Sequence, residues 1–445
     1  MYFSYACACI YLILKALVCC FSVLLPTRVN RFLLQLMRSG GVIWQQNPAR
    51  AHISTSRVLK RKVNDGDVDF EPLTGGTLPR YADLATLMRL PHLPLKDLDA
   101  SNIVDIGLIG IPWDGGTTNR PGARMGPRAV RDISTVIRNV NRATGVNPFS
   151  LCNCADLGDS PVNPLNVIDA LKRITGFYKE VVDKEISPLS VGGDHLVSLP
   201  VLRAVAPQYS EPLGLIHFDA HSDTWDSYFG DENKFSHGTG FRRAIEEGLI
   251  DPQKTIQIGL RGALYADALD DWAVEQGVTQ IDIDAFQEMG VEGVLTKVAE
   301  VVGRAPCYVS FDIDVLDPAF ACGTVFLYLM LSVFQHISTC FASGCLESVL
   351  SPILALPYVQ GTPEIGGMTT REAQQLVRGL AGMDIVGGDL VEVAPAYDPT
   401  SNTALAGATI LYEMLCVLTQ SISSKKLVKR FKQSPGDDKS DSLPG

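Results

Sequence analysis

The sequence predicts an α/β protein, a three-layer α-β-α arrangement around a central, mainly parallel sheet. Two observations predict it. From about residue 101, apolar runs of strand length alternate with amphipathic stretches of helical period. Several runs are apolar almost throughout, as strands covered on both faces must be. A third observation places the chemistry. Histidines and carboxylates gather just past the ends of those runs, where open parallel sheets carry their active sites.

In chain order, 103–111, 187–191, 213–219, 255–260, 278–283, 308–312 and 385–393 read as strands. Residues 127–139, 197–205, 291–302, 371–380 and 403–418 read as helices. A parallel sheet between two helical layers accommodates that alternation. The 445 residues, 46% of them hydrophobic, suffice for one large core with extensions. We assign a catalytic domain to 101–420 and an N-terminal arm to 65–100. Residues 421–445, rich in Lys, Ser and Asp, read as a disordered tail.

The lead differs from the rest. No Asp or Glu precedes Asp65, whereas Lys15, Arg28, Arg31, Arg38, Arg50, Arg57, Lys60, Arg61 and Lys62 all fall within 1–64. Acid-free leads containing Arg and Ser are typical of organelle transit peptides. Mitochondrial import is therefore expected, with the cytoplasm as the alternative if translation starts elsewhere. Residues 37–62 fit best, and Met37 is an alternative start. Residues 2–25, apolar except for Lys15, have the length of a membrane helix, but membrane association is not the expectation. A net charge of −11 argues against a nucleic-acid partner and tolerates a cationic substrate. Cys152 and Cys154 are the close cysteine pair of the main body. They lack the C-x-x-C spacing and second pair of a structural zinc site, so reduced thiols are expected.

Four of the seven histidines lie between residues 195 and 237, interleaved with carboxylates. The first group is Gly192-Gly-Asp-His195, directly after a strand. Glycine permits close backbone approach, and His195 projects into the cleft. The structural alternative is a helix start capped by Asp194, with His195 incidental. The second group is Asp219-Ala-His-Ser-Asp223. In extended chain, i, i+2 and i+4 share a face, so Asp219, His221 and Asp223 converge. Without a cation between them they would repel and lose hydration. His217 has the same parity but lies deeper, and reads as a buried, hydrogen-bonded histidine. The third group is Asp312-Ile-Asp314, closing another apolar run. Asp317-Pro318 then reads as a turn. Two imidazoles (His195, His221) and four carboxylates (Asp219, Asp223, Asp312, Asp314) are too oxygen-rich for structural zinc. They suit two divalent ions, manganese above softer metals. Two ions about 3.5–4 Å apart can activate a water between them.

These elements resemble the ureohydrolase family, which includes arginases, agmatinases and guanidino-acid hydrolases. The resemblance rests on the groups at 192–195, 219–223 and 310–318, with further stretches at 115–128 and 388–398. It covers about 101–418 apart from one insertion, and lies nearest the agmatinase and guanidino-acid branch. It implies two manganese ions per subunit and release of urea from a guanidino compound. Agmatine would give putrescine; 4-guanidinobutyrate would give 4-aminobutyrate. It also implies a homo-oligomer, trimer or hexamer. By resemblance, His195, Asp219, Asp223 and Asp312 hold the first ion, and Asp219, His221, Asp312 and Asp314 the second. Hydroxide attacks the guanidinium carbon, and Asp223 passes a proton to the leaving amine. His237 matches the family's proton-shuttle histidine; the alternative is an ordinary loop histidine. Glu372 matches a glutamate that pairs with the guanidinium, yet Thr369–Glu372 is equally a capping box. Glu392 reads as supporting the metal site or orienting substrate. Asn119 and Arg120 read as substrate contacts, because Arg forms bidentate pairs with carboxylates. The alternative is that Arg120, Arg124 and Arg128 make structural ion pairs. After Asp223 the chain runs Thr224-Trp-Asp-Ser, unlike the polar residues with which arginases grip an α-amino acid, so L-arginine is disfavoured.

In the family pattern the stretch matching 317–324 continues directly into that matching 361–367. Here 36 residues, 325–360, intervene, with no Asp, Glu, Lys or Arg before Glu347, and Cys322 replaces the expected proline. We read them as a retained intron or a gene-model error. They are a whole number of codons, open on Val, whose codons begin GT, and close on Gln, which CAG encodes. The competing reading is a non-catalytic isoform inactivated by this segment.

Overall fold

The apolar runs form, among the described residues, eight strands. They are β1 Ile106–Gly110, β2 Cys154–Asp159, β3 Ser187–Val191, β4 Leu213–Phe218, β5 Ile250–Leu260, β6 Thr279–Asp282, β7 Cys307–Asp312 and β8 Ile385–Val391. The description rests on a computed structural model and covers residues 68–98, 103–264, 271–321 and 364–433. The lead at 1–64 and the insertion at 325–360 lie outside the described residues. The strands make one sheet in the order β2-β1-β3-β8-β7-β4-β5-β6, and every neighbouring pair is parallel. The chain passes from β3 to β4 leaving two places between them, which β8 and β7 fill. Strand order thus reverses at the centre of the sheet, where an open parallel sheet forms its binding crevice.

Among the described residues the α-helices are α1 Gly126–Ile133, α2 Pro148–Leu151, α3 Val167–Asp183, α4 Ser198–Val205, α5 Gly240–Glu246, α6 Asp271–Gln276, α7 Ile283–Val302, α8 Thr370–Gly379 and α9 Asn402–Gln433. Successive strand residues face opposite layers. Leu108, Ile216, Val309 and Leu390 pack with Val130 of α1, Val294 of α7, Leu376 of α8 and Leu411 of α9. Their neighbours Ile109, Leu215, Tyr308 and Val391 pack with Leu171 of α3, Leu202 of α4 and Phe241 of α5. These are the three layers that the alternation predicts.

Several boundaries differ from the expectation. β5 begins at Ile250, ahead of a register irregularity. α1 stops at Ile133, and a 3-10 turn follows. α7 begins at Ile283, N-capped by Asp282, and carries a kink at Gly290, whose φ is 64°. β2 and α3 were not expected. The β2 residues Cys-Ala-Asp-Leu-Gly-Asp show little apolar periodicity because Asp156 is buried within them. Its charge is met by the Arg131 guanidinium at 2.8 and 3.0 Å and by the Leu87 amide at 2.9 Å. The assignment of a disordered tail from residue 421 is corrected for 421–433, while 434–445 lie outside the described residues. α9 continues to Gln433. The Ser421 hydroxyl donates to the Ile385 carbonyl, Ile422 packs on the core, and Lys425 and Lys426 pair with Asp384 and Asp105. The lysines are at the rim of the core, one turn beyond the inward-facing Ser421 and Ile422. The apolar stretch of α9 has the length of a bilayer span, yet 78% of its most apolar window is buried within the fold.

Candidate metal centre

Four adjacent strands, β3, β8, β7 and β4, bring their carboxyl ends to one place. Their register is level there. Val191 and Phe311 both pair with Leu390, and Phe218 pairs with Phe311. Just past these pairs come His195, Glu392, Asp312 and Asp219.

At the end of β3, an added Cβ on Gly193 would lie 1.6 Å from the Trp113 carbonyl oxygen, so only glycine fits. The Asp194 amide donates to that same carbonyl (3.0 Å). The Asp194 carboxylate caps the turn by accepting from Leu196 N (3.1 Å), and His195 still projects into the cleft. Asp194 also accepts from Gly116 N (2.6 Å), and burial, then Glu392, pushes its carboxyl up to about 8.

His195 Nδ1 lies 2.9 Å from Asp219 Oδ2, 3.1 Å from Asp223 Oδ2 and 3.2 Å from Asp312 Oδ2. It is buried and has no hydrogen-bond partner among the described residues. His221 Nδ1 lies 3.0 Å from Asp314 Oδ2 and 3.5 Å from Asp219 Oδ1. Two donor groups result, and Asp219 belongs to both through its two oxygens. Backbone amides set the carboxylates. His221 N donates to Asp219 Oδ1 (2.7 Å), Asp314 N to Asp312 Oδ1 (2.8 Å) and Ala220 N to Asp314 Oδ1 (3.1 Å). Asp223 takes its place only by adopting φ 55°, and Glu392 by φ 61°. Asp tolerates that region, whereas Glu seldom occupies it, and strain of the kind Glu392 carries collects at functional sites.

His217 is within reach of the first group, but its protonation argues against ligation. Gln257 Nε2 donates to Ser222 O (2.6 Å) and His217 Nδ1 (3.1 Å), while Gln257 Oε1 accepts from Gln280 (3.0 Å). His217 Nδ1 is therefore an acceptor. The proton sits on Nε2, which donates to Asp219 Oδ2 at 2.8 Å.

The electrostatics call for added positive charge. Burial, then Asp314 and Asp219, pushes the Asp312 carboxyl well above the usual range. Burial lowers His195 and His221, yet the facing carboxylates carry both well above the ordinary histidine range. A buried carboxylate cluster faced by two imidazole nitrogens, one without a hydrogen-bond partner, fits a pair of divalent cations.

His237 stands beside this cluster. Its Nδ1 donates to Glu392 Oε1 (3.0 Å), which also accepts from His195 N (3.0 Å). Burial lowers His237, but the Glu392 charge wins and pushes it up to about 9. The Thr118 amide works against the charged form, because it donates to Nε2 (3.1 Å). Thr118 itself had no sequence signal. Glu372 is engaged in the capping box. Its Oε2 accepts from Thr369 N and Oγ1, both at 2.8 Å. Asn119 is exposed and Arg120 half-buried, one and two residues beyond Thr118. Arg124 pairs with Asp114 as a structural ion pair. Asp317 is structural as read. It accepts from Ala319 N (2.8 Å) and Gly366 N (2.7 Å). Cys152, Cys154, Cys307 and Cys416 are buried free thiols.

Comparison with known proteins agrees with this geometry. The profile of the arginase family matches residues 104–326 and 358–416. The break between those matches falls within the expected insertion. A guanidinopropionase of Pseudomonas aeruginosa is 50% identical over 351 residues, covering 79% of this chain and 96% of its own. The mitochondrial guanidino acid hydrolase of Homo sapiens is 37% identical over 374 residues, covering 83% of this chain and 93% of its own. Among solved structures, the proclavaminate amidino hydrolase of Streptomyces clavuligerus aligns with a TM-score of 0.64 at 37% identity, over 77% of this chain and 99% of that one.

Proposed function

The chain belongs to the arginase family, and from that premise we propose that it hydrolyses a guanidino carboxylate to urea and an amino acid, using two manganese ions. The observation that carries the proposal is the pair of donor groups joined through Asp219, with His195 Nδ1 buried and unpartnered between carboxylates. His195, Asp219, Asp223 and Asp312 would hold one ion, and Asp219, His221, Asp312 and Asp314 the other. When bound, such a pair makes water nucleophilic at neutral pH.

The chain's own groups do the rest. Asp223 accepts a proton from the attacking water and delivers it to the departing nitrogen. His237 Nε2 carries protons between cleft and solvent once Thr118 releases it, while Glu392 holds the proton on Nδ1. Arg120 makes no ion pair among the described residues and shares the loop that touches His237. It suits the substrate carboxylate, with Asn119 beside it. The 50% identity with a guanidinopropionase supports an acid tail over the amine tail of agmatine. The capping bonds of Glu372 leave its pairing with the guanidinium the weaker part of the assignment.

Residues 325–360 are read as dispensable. The chain on either side already meets: Asp317 accepts from Gly366 N, and Arg261 donates to the carbonyls of both Leu316 and Glu364. The acid-free lead and the mitochondrial relative support a mitochondrial protein, and the family resemblance supports a trimer or hexamer. The test is urea release from 3-guanidinopropionate, 4-guanidinobutyrate, agmatine and L-arginine, with and without residues 325–360. The shorter protein is expected to prefer a guanidino acid. Preference for agmatine would overturn the acid assignment. Failure of the longer protein alone would identify it as the non-catalytic form.

A further inference from the structure

Asp389 is a fully buried carboxylate in the middle of β8, outside the donor groups above. Its Oδ2 accepts from the Ser198 hydroxyl (2.7 Å) and the Tyr308 hydroxyl (2.9 Å). Its Oδ1 accepts from the Ser310 hydroxyl (2.6 Å). Ser310, on β7, is also fully buried, and its Oγ lies 2.8 Å from His195 Nε2. A serine hydroxyl has one hydrogen. Ser310 spends it on Asp389, so towards His195 it can only accept. The His195 proton must then sit on Nε2. That leaves the Nδ1 lone pair for the cleft, where Nδ1 is buried, without a hydrogen-bond partner, and faces Asp219, Asp223 and Asp312.

We propose that Asp389 and Ser310 form a buried positioning relay that fixes the tautomer and orientation of His195, so that Nδ1 serves the first metal ion. It rests on the reading of His195 as a ligand. Histidine ligands commonly donate their other N–H to an oxygen that fixes the ring; here a serine passes the constraint on from a carboxylate. The other oxygen of Asp389 is held by two hydroxyls, Ser198 and Tyr308, so that with Tyr308 removed Ser198 still keeps Oδ1 turned to Ser310. The relay serves one ion. His221, of the second group, makes no contact with it among the described residues.

The test is manganese binding to the full chain, read by calorimetric titration and by electron paramagnetic resonance, which separates a coupled ion pair from a lone ion. Ser310→Ala is expected to weaken one ion by about 10–100-fold and to leave the other near its original affinity, with the lone-ion signal replacing the coupled one. Asp389→Asn should do likewise, since the Asn amide can donate to Ser310 and turn its hydrogen towards His195. The double variant should be no worse than either single one. Tyr308→Phe removes a different hydroxyl from the same carboxylate, and should lower the melting temperature while sparing ion affinity. Unchanged affinity in Ser310→Ala overturns the relay alone. Equal loss of both ions, or equal loss in Tyr308→Phe, overturns it too, as general destabilisation. An unmodified chain that binds no pair of ions overturns both the relay and the metal reading beneath it.

Discussion

At the scale of single residues, Glu392 links the donor groups to His237, the proposed proton shuttle. One oxygen accepts from His195 N and from His237 Nδ1. Glu392→Gln keeps an oxygen acceptor for both but removes the charge that carries His237 up to about 9. A raised histidine contributes stability that is full below the ordinary histidine range and lost as pH rises through the folded value. Removing the charge should therefore move the alkaline limb of the kcat/KM profile to lower pH. A limb that stays at its original pH would detach Glu392 from His237. The ligand candidates were legible because each follows an apolar run at alternating positions, and a strand puts alternating positions on one face. Thr118, Ser310 and Asp389 were not read. Thr118 acts through a loop amide that any residue supplies. Asp389 did leave a signal, a lone acid inside the apolar run 385–391, which only a buried partner such as Ser310 explains.

At the scale of elements, the sheet edges and the helix ends were hardest to read. β2 carries Asp156 in its middle, and a buried ion pair erases the apolar pattern on which strand recognition depends. α3 is N-capped by Asn166, whose side chain accepts from Asp169 N (2.9 Å), a cap that polar loop residues around it concealed. The end of α9 was misjudged on composition, since Lys425 and Lys426 lie one turn beyond Ser421 and Ile422 and pair with Asp384 and Asp105. Ending the chain at Gln420 removes a buried hydrogen bond, a packed Ile and two partly exposed ion pairs. This should lower stability by about 2 kcal/mol. Urea denaturation measures it, and an unchanged midpoint would show that 421–433 contribute nothing.

At the scale of the whole molecule, the parallel sheet was legible from strand–helix alternation, but strand order was not. The places that β7 and β8 fill between β3 and β4 depend on long-range pairing that no local pattern encodes. That order is what puts four loaded strand ends side by side, and with them the candidate metal centre. The most direct test is urea release by chelator-treated protein lacking residues 325–360, followed as manganese is added back with 3-guanidinopropionate as substrate. The expected result is no turnover at the start and a rise that saturates at two ions per chain. Turnover in the chelated protein, saturation at one ion, or no urea with two ions bound would contradict the account.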